Sequence, residues 1–179
     1  YYADTKDIYF RKNVHLKDAK YDIVTDSLVY NLKTSVATFI APTRIVSKDG
    51  SVINTKSGTY NLNTGEAIFY DRTSYSDSAY FLIGDKIAYD EKTGILQMEG
   101  KAKMVDSINK VTVLANIIYV DKQKSTFLAT RKPVMIFYRD SDSTYIAADT
   151  LFSGLRKYDS LQRKIITQAD TLKKSMVFQ

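Results

Sequence analysis

Residues 82–98 read Leu82-Ile-Gly-Asp-Lys-Ile-Ala-Tyr89-Asp-Glu-Lys-Thr-Gly94-Ile-Leu-Gln-Met98. A β-prone run ends on a tyrosine, a polar turn follows, and a second run reaches an apolar residue nine positions beyond the tyrosine. The same phrase surrounds Tyr30, Tyr60 and Tyr119, so copies recur about every thirty residues, the range of stacked repeat architectures. Turns follow at Asn31-Leu-Lys-Thr-Ser35, Asn61-Leu-Asn-Thr-Gly65 and Asp121-Lys-Gln-Lys-Ser125. The matching apolar residues are Phe39, Phe69, Met98 and Leu128.

The runs alternate with period two. In Val111–Tyr119 the odd positions are apolar, and in Leu96–Met104 the even ones are apolar or small. That is the signature of a sheet with one buried face, and a period of 3.6 does not fit it. A second set of turns, at Lys48-Asp-Gly50, Asp77-Ser78, Asp106-Ser107 and Asp140-Ser-Asp142, separates the units. Each unit therefore reads as one β-hairpin. A lone hairpin is marginal in water, so the hairpins must stack. The predicted inner face holds Leu28, Ile87 and Ile117, two before each tyrosine, with Gly58 as the exception. Tyr30, Tyr89 and Tyr119 share that face by parity, as do Phe39, Phe69, Met98 and Leu128. Val113 joins them from its alternating run, and Leu151 from the weaker copy Ala148-Asp-Thr-Leu151, which returns as Ala169-Asp-Thr-Leu172.

The expectation is an all-β chain, residues 1–179 forming a single repeat domain. The stretch 155–166 reads as a strand pair and 176–178 as a strand cut off mid-unit. The first residue is Tyr1, not Met, so the chain reads as part of a longer protein whose signal peptide is absent here. There are 14 Tyr and 8 Phe but no Trp, and only 2 Pro and 7 Gly, a balance that favours strands. No run approaches the roughly 18 apolar residues of a membrane helix. The formal charge of +6 is densest at Arg156, Lys157, Arg163, Lys164, Lys173 and Lys174, and suits either solubility or an anionic partner.

Chemistry is hard to place on these residues. With no Cys there are no disulfides, thiolate zinc sites or thiol nucleophiles. The single histidine, His15, lacks a Gly-x-Ser-x-Gly elbow to make it part of a triad and reads as a strand surface residue. Asp26, Asp85, Asp149 and Asp170 recur in register, which suits turns and solvated edges better than the unique carboxylate pair of a glycosidase. The Gly-Gly-x-Gly-x-Asp pattern of calcium-binding solenoids is missing. No cofactor, metal or catalytic residue is expected. Nor is nucleic acid, because the tyrosines alternate into the inner face; Tyr75, Tyr138 and Tyr145 are read as outward.

The unit Asp-x-Leu-x-Tyr-Asp/Asn-x-x-Thr-Gly-x-Ala/Leu-x-Phe/Met resembles the OstA-like repeats of LptA-type lipopolysaccharide-transport proteins. The best copies are Asp85–Ala102 and Tyr60–Phe69, and the resemblance spans about residues 20 to 175. It implies an elongated β-jellyroll, a V-shaped sandwich or "taco", acting without catalysis in the periplasm of a Gram-negative envelope. It implies a groove that carries the acyl chains of lipopolysaccharide, or a related anionic glycolipid, toward the outer membrane. The twelve inner-face residues named above would line it. It also implies end-to-end pairing of edge strands, with itself or other OstA-like domains. Burying about twelve methylenes at ~0.8 kcal/mol each would contribute on the order of 10 kcal/mol gross, far above any surface charge. The alternative is a structural, protein-binding solenoid with a dry core, because the same bulky residues would fill one equally well.

Overall fold

A computed structural model describes residues 6–17, 19–139 and 142–154. The copy at Ala169–Leu172, the stretches 155–166 and 176–178 and the late basic cluster lie outside the described residues. Within them the chain is all β. Its fourteen strands are β1 (Asp7–Lys17), β2 (Tyr21–Asn31), β3 (Val36–Phe39), β4 (Thr43–Ser47), β5 (Val52–Thr55), β6 (Ser57–Asn61) and β7 (Glu66–Ser76), then β8 (Tyr80–Asp90), β9 (Ile95–Asp106), β10 (Val111–Asp121), β11 (Thr126–Thr130), β12 (Val134–Arg139), β13 (Asp142–Ala147) and β14 (Thr150–Ser153). All belong to one antiparallel sheet. It follows the jellyroll plan of stacked hairpins, with β1 standing at one end of the ladder.

Long strands bend and short ones come in pairs, and both facts have one cause. At the same point of successive units the backbone takes positive φ in two consecutive residues: Lys12 and Asn13, Asp71 and Arg72, Gly100 and Lys101, Arg131 and Lys132. In the unit that lacks such a pair, Pro42 separates β3 from β4. Pro133 likewise precedes β12, at a break where a missing N–H costs no ladder bond. The registers shift at these bends, between Arg11 and Val14 and between Tyr70 and Thr73. Each irregularity turns the strand, so its two halves belong to two walls of a V.

Residues opposite one another on paired strands share a face. On the first wall one continuous row runs Phe10, Leu28, Phe39, Gly58, Phe69, Ile87, Met98, Ile118, Ala129, Leu151. From Leu28 to Ala129 every member is buried. On the second wall the matching row runs Leu16, Ile23, Ile45, Ile53, Tyr75, Leu82, Met104, Val113, Met135. The inside of the bend is filled by buried threonines. Thr43 Oγ1 lies 2.8 Å from both Thr25 Oγ1 and the Ala41 carbonyl oxygen, within hydrogen-bond reach of each, and Thr55 and Thr73 share a hydrogen bond of 2.7 Å. A hydroxyl satisfies a polar atom there without leaving the apolar interior a lone partnerless group.

Gly58, the exception in the pattern, is explained by its neighbours. An added Cβ would lie 2.6 Å from the Ile68 carbonyl oxygen and 2.7 Å from a Phe69 ring carbon. The Phe69 ring and the Ile68 carbonyl occupy the space a side chain would need.

The fourth unit corrects the expected register. Its turn residue of positive φ is Ser125, equivalent to Ser35, Gly65 and Gly94. Counting back from that turn, the residue equivalent to Tyr89 is Val120, which like Tyr89 pairs with Leu96. The irregularity between Ala115 and Ile117 changes the parity of β10 halfway along. Val111 and Val113 therefore face in with Ile118 and Val120, and the odd-position rule fails beyond Ala115. Ile117, Tyr119 and Leu128 lie on the opposite face, and Ile118, Val120 and Ala129 take the inner places assigned to them.

Candidate functional site: a trough between two walls

The two walls enclose a trough that is hollow over the first units and closed beyond them. A cavity of about 320 Å³ lies between Tyr60, Ala67, Phe69, Ile87, Tyr89 and Leu96 on the first wall and Ile23, Ile45, Ile53, Thr73 and Tyr75 on the second. A second, of about 290 Å³, lies nearer β1, against Phe10, Leu16, Leu28, Tyr30, Ala37, Phe39 and Leu62. Tyr21, Ile23 and Tyr60 border both. The rings of Tyr21 and Tyr60 meet edge to face, 5.9 Å between centroids, and form the partition. Past the larger cavity, Met98, Met104, Val113 and Ile118 are essentially fully buried and fill the space. Each cavity is about twice the ~150 Å³ that suffices for a benzene in an apolar core.

A row in which tyrosine alternates with alanine shapes the hollow part. Tyr30 faces Ala37, Ala37 faces Tyr60, Tyr60 faces Ala67 and Ala67 faces Tyr89. The alanines are buried and the tyrosines half-buried. Each small residue leaves a groove between two rings, and the Tyr60 phenol oxygen reaches the mouth of the trough, where it finds a polar partner.

The mouth is polar. On the first wall its rim is made by the turns after β2, β6, β8 and β10; on the second, by the turns after β1, β4, β7 and β9. Lys20 Nζ, from the second rim, lies 2.7 Å from Glu91 Oε1 on the first. Tyr60 Oη donates to Glu91 Oε2 at 3.1 Å. Lys122, from the first rim, donates to Tyr75 Oη at 2.7 Å and sits 4.7 Å above the centre of that ring. Tyr75 Oη in turn donates to Asp77 at 2.7 Å. The Lys20 ammonium and the Tyr60 hydroxyl hold the Glu91 carboxyl below its ordinary range, against the cost of burial. Burial by itself would raise Asp77. Hydrogen bonds from the Tyr75 hydroxyl and the Tyr80 and Ala79 N–H groups outweigh it, and Asp77 also lies low. Desolvation pushes the Tyr60 and Tyr75 phenols well above the usual tyrosine range, so both remain donors.

Of the residues expected to line a groove, Leu28, Tyr30 and Phe39 border the smaller cavity, and Phe69, Ile87 and Tyr89 the larger. Met98 and Val113 lie in the closed part, with Leu151 packed against it. Ile117, Tyr119 and Leu128 border neither cavity. Tyr75, read as outward, is buried on the inner face: it pairs with Leu82 and borders the larger cavity, whereas Tyr138 and Tyr145 are exposed. The sequence pattern named only Val113 of the second wall, because only the tyrosine-centred half of each unit repeats closely. The alternation of Ile23, Ile45 and Ile53 with polar neighbours was the available signal.

The remaining polar residues have local structural roles. His15 and Asp22 pair at 2.5 Å on the exposed face of β1 and β2. Asp90 caps its own turn by accepting from the Lys92 and Thr93 N–H groups, as Asn31 and Asn61 do in theirs. Asp85 pairs with Arg72 across the bend at 3.2 Å. Among the described residues no three His, Cys, Asp or Glu gather as a metal site.

The fold is shared with solved structures. One is LptH from Pseudomonas aeruginosa, described as the LptA homologous periplasmic component of the conserved lipopolysaccharide transport device. It aligns with a TM-score of 0.56 at 15% identity, over 76% of this chain and 95% of that one. No curated protein matches the chain. Residues 1–85 match the family model of OstA-like proteins.

Proposed function

We propose that the protein is a non-enzymatic lipopolysaccharide-transport module of the periplasm, a single repeat domain that carries acyl chains of lipopolysaccharide or a related anionic glycolipid toward the outer membrane. The observation that carries this reading is the hollow, apolar interior over the first units, where two cavities of about 320 and 290 Å³ follow one another along one trough. Acyl chains suit such a space because each buried methylene contributes ~0.8 kcal/mol without needing a polar partner. Sugar and phosphate would stay at the mouth, beside Lys20, Lys48 and Lys122, which border the larger cavity. The OstA-like match and the shared fold with LptH support the same reading.

The eleven residues of β1 suit pairing with another OstA-like domain or a second copy, since β1 stands at the end of the ladder. Strand addition of this kind uses main-chain bonds for affinity and alternate side chains for choice of partner.

Native mass spectrometry of the protein mixed with purified lipopolysaccharide tests the function. A stable one-to-one complex that releases intact glycolipid is expected. A spectrum of bare protein at every lipid concentration would favour instead a dry-core interaction solenoid, the reading that the packed region around Met98 and Met104 would suit.

A further inference from the structure

The first residue after each tyrosine-side turn cap is Leu32, Leu62, Glu91 or Lys122, in chain order. The four positions are equivalent in the backbone. Each N–H donates to a carbonyl of the preceding unit: Leu32 to Lys6, Leu62 to Ser35, Glu91 to Gly65 and Lys122 to Gly94. Only the side chains change. The leucines are half exposed, at 48% and 49%, and nothing polar spans the mouth from them. Glu91 and Lys122 instead reach across to the opposite rim, Glu91 to Lys20 and Lys122 to Tyr75. At this one position the rim therefore carries leucine in its first two units and a polar bond across the mouth in the next two.

The ties lie over the larger cavity, whose border includes Lys20, Glu91, Lys122 and Tyr75. The smaller cavity has Leu62 at its border in place of Glu91 and Lys122, with Lys17 also beside it. Both ties join residues far apart in sequence, 71 positions for Lys20 with Glu91 and 47 for Lys122 with Tyr75, so they act between walls and not within a hairpin. The Lys20–Glu91 pair is largely exposed, so it is weak and screened by salt, whereas Lys122 donates a single hydrogen bond to the neutral phenol of the buried Tyr75. A cavity of about 320 Å³ beneath closed ties leaves room for little more than one chain, and a lipid with several must part the walls.

We propose that Lys20–Glu91 and Lys122–Tyr75 are latches across the mouth, which hold the trough closed over its third and fourth units and release to admit an acyl chain entering past the leucine lip. This rests on the acyl-carrying reading above, and the test separates the two. The chain contains no cysteine, so cysteine chemistry can be directed to chosen sites. The probe is dansyl-undecanoic acid, mixed with protein in a stopped-flow fluorimeter. Four forms are compared: the parent, E91Q, K122M, and K20C/E91C with and without a short bismaleimide bridge.

Loss of one latch should speed uptake about two- to fivefold, the factor expected from removing an exposed pair. Raising salt should speed the parent and leave E91Q less affected. The bridged K20C/E91C protein should take up probe much more slowly than the same protein unbridged. Equal rates in all forms, with the probe bound in each, would overturn the latch and leave the acyl-carrying reading standing. Failure of every form to bind would overturn that reading and the latch with it. Should E91Q or K122M fail to fold, the salt dependence of the parent and the bridged protein still decide the matter.

Discussion

Phe39 and Phe69 lie on strands that never pair with each other, yet their rings meet 6.3 Å apart across Gly58. The missing side chain of the intervening strand is what lets them meet. The absence of a Cβ is thus part of the core packing, and the one break in the repeat pattern is a constraint of the fold. G58V should destabilise the protein by about 1–3 kcal/mol, the range for forcing atoms into a packed interior. Urea unfolding followed by circular dichroism measures it, and a neutral result would mean that the rings do not close over this position.

Ile117 and Ile118 offer a comparison within one strand. Ile118 is fully buried opposite Met98 and Ala129, whereas Ile117 turns to the other face. Truncating Ile118 to alanine should cost about 2–5 kcal/mol, as for a buried aliphatic side chain. The same change at Ile117 should cost about 1 kcal/mol or less. Equal losses would show that the parity of β10 does not change where its register shifts.

These two cases mark what the sequence made legible. Tyrosine spacing and period-two alternation were enough for the strands, their antiparallel stacking and most of the first wall, from Leu28 to Met98. They were not enough for the fourth unit, because Val120 sits where earlier units have tyrosine, and Tyr119 beside it invites a register one residue off. The reliable marker was the turn, since Asp121 accepts from the Lys124 N–H as the earlier caps accept from theirs. The second wall was hidden for a different reason. Its residues follow bends made by paired positive-φ residues such as Asp71 and Arg72, ordinary polar residues that carry no glycine to announce them. The latches could be seen in sequence only as a substitution, Leu32 and Leu62 giving way to Glu91 and Lys122, whose meaning depends on what lies across the mouth.

The acid side of the stability profile should report the mouth. Glu91 is held below its ordinary 4.5, chiefly by Lys20, and Asp49 lies below 3.8, chiefly through the Ser51 N–H. A carboxyl whose folded value is depressed contributes stability that is fully present above the unfolded value and is lost as pH falls through the folded one. The protein should therefore lose stability below about pH 4.5 and not between pH 5 and 8. K20M should reduce the acid-dependent part. Urea midpoints across that range for both proteins provide the check, and identical profiles would mean that the Lys20–Glu91 bond contributes nothing.

The central claim is that an acyl chain lies between the two walls, and photo-crosslinking reads it most directly. Benzoylphenylalanine replaces Tyr89, which borders the larger cavity, or Tyr138, which is exposed on β12, and each protein is irradiated with purified lipopolysaccharide. The account predicts a lipid adduct at position 89 and none at 138. Adducts at 138 alone, or equally at both, would contradict it.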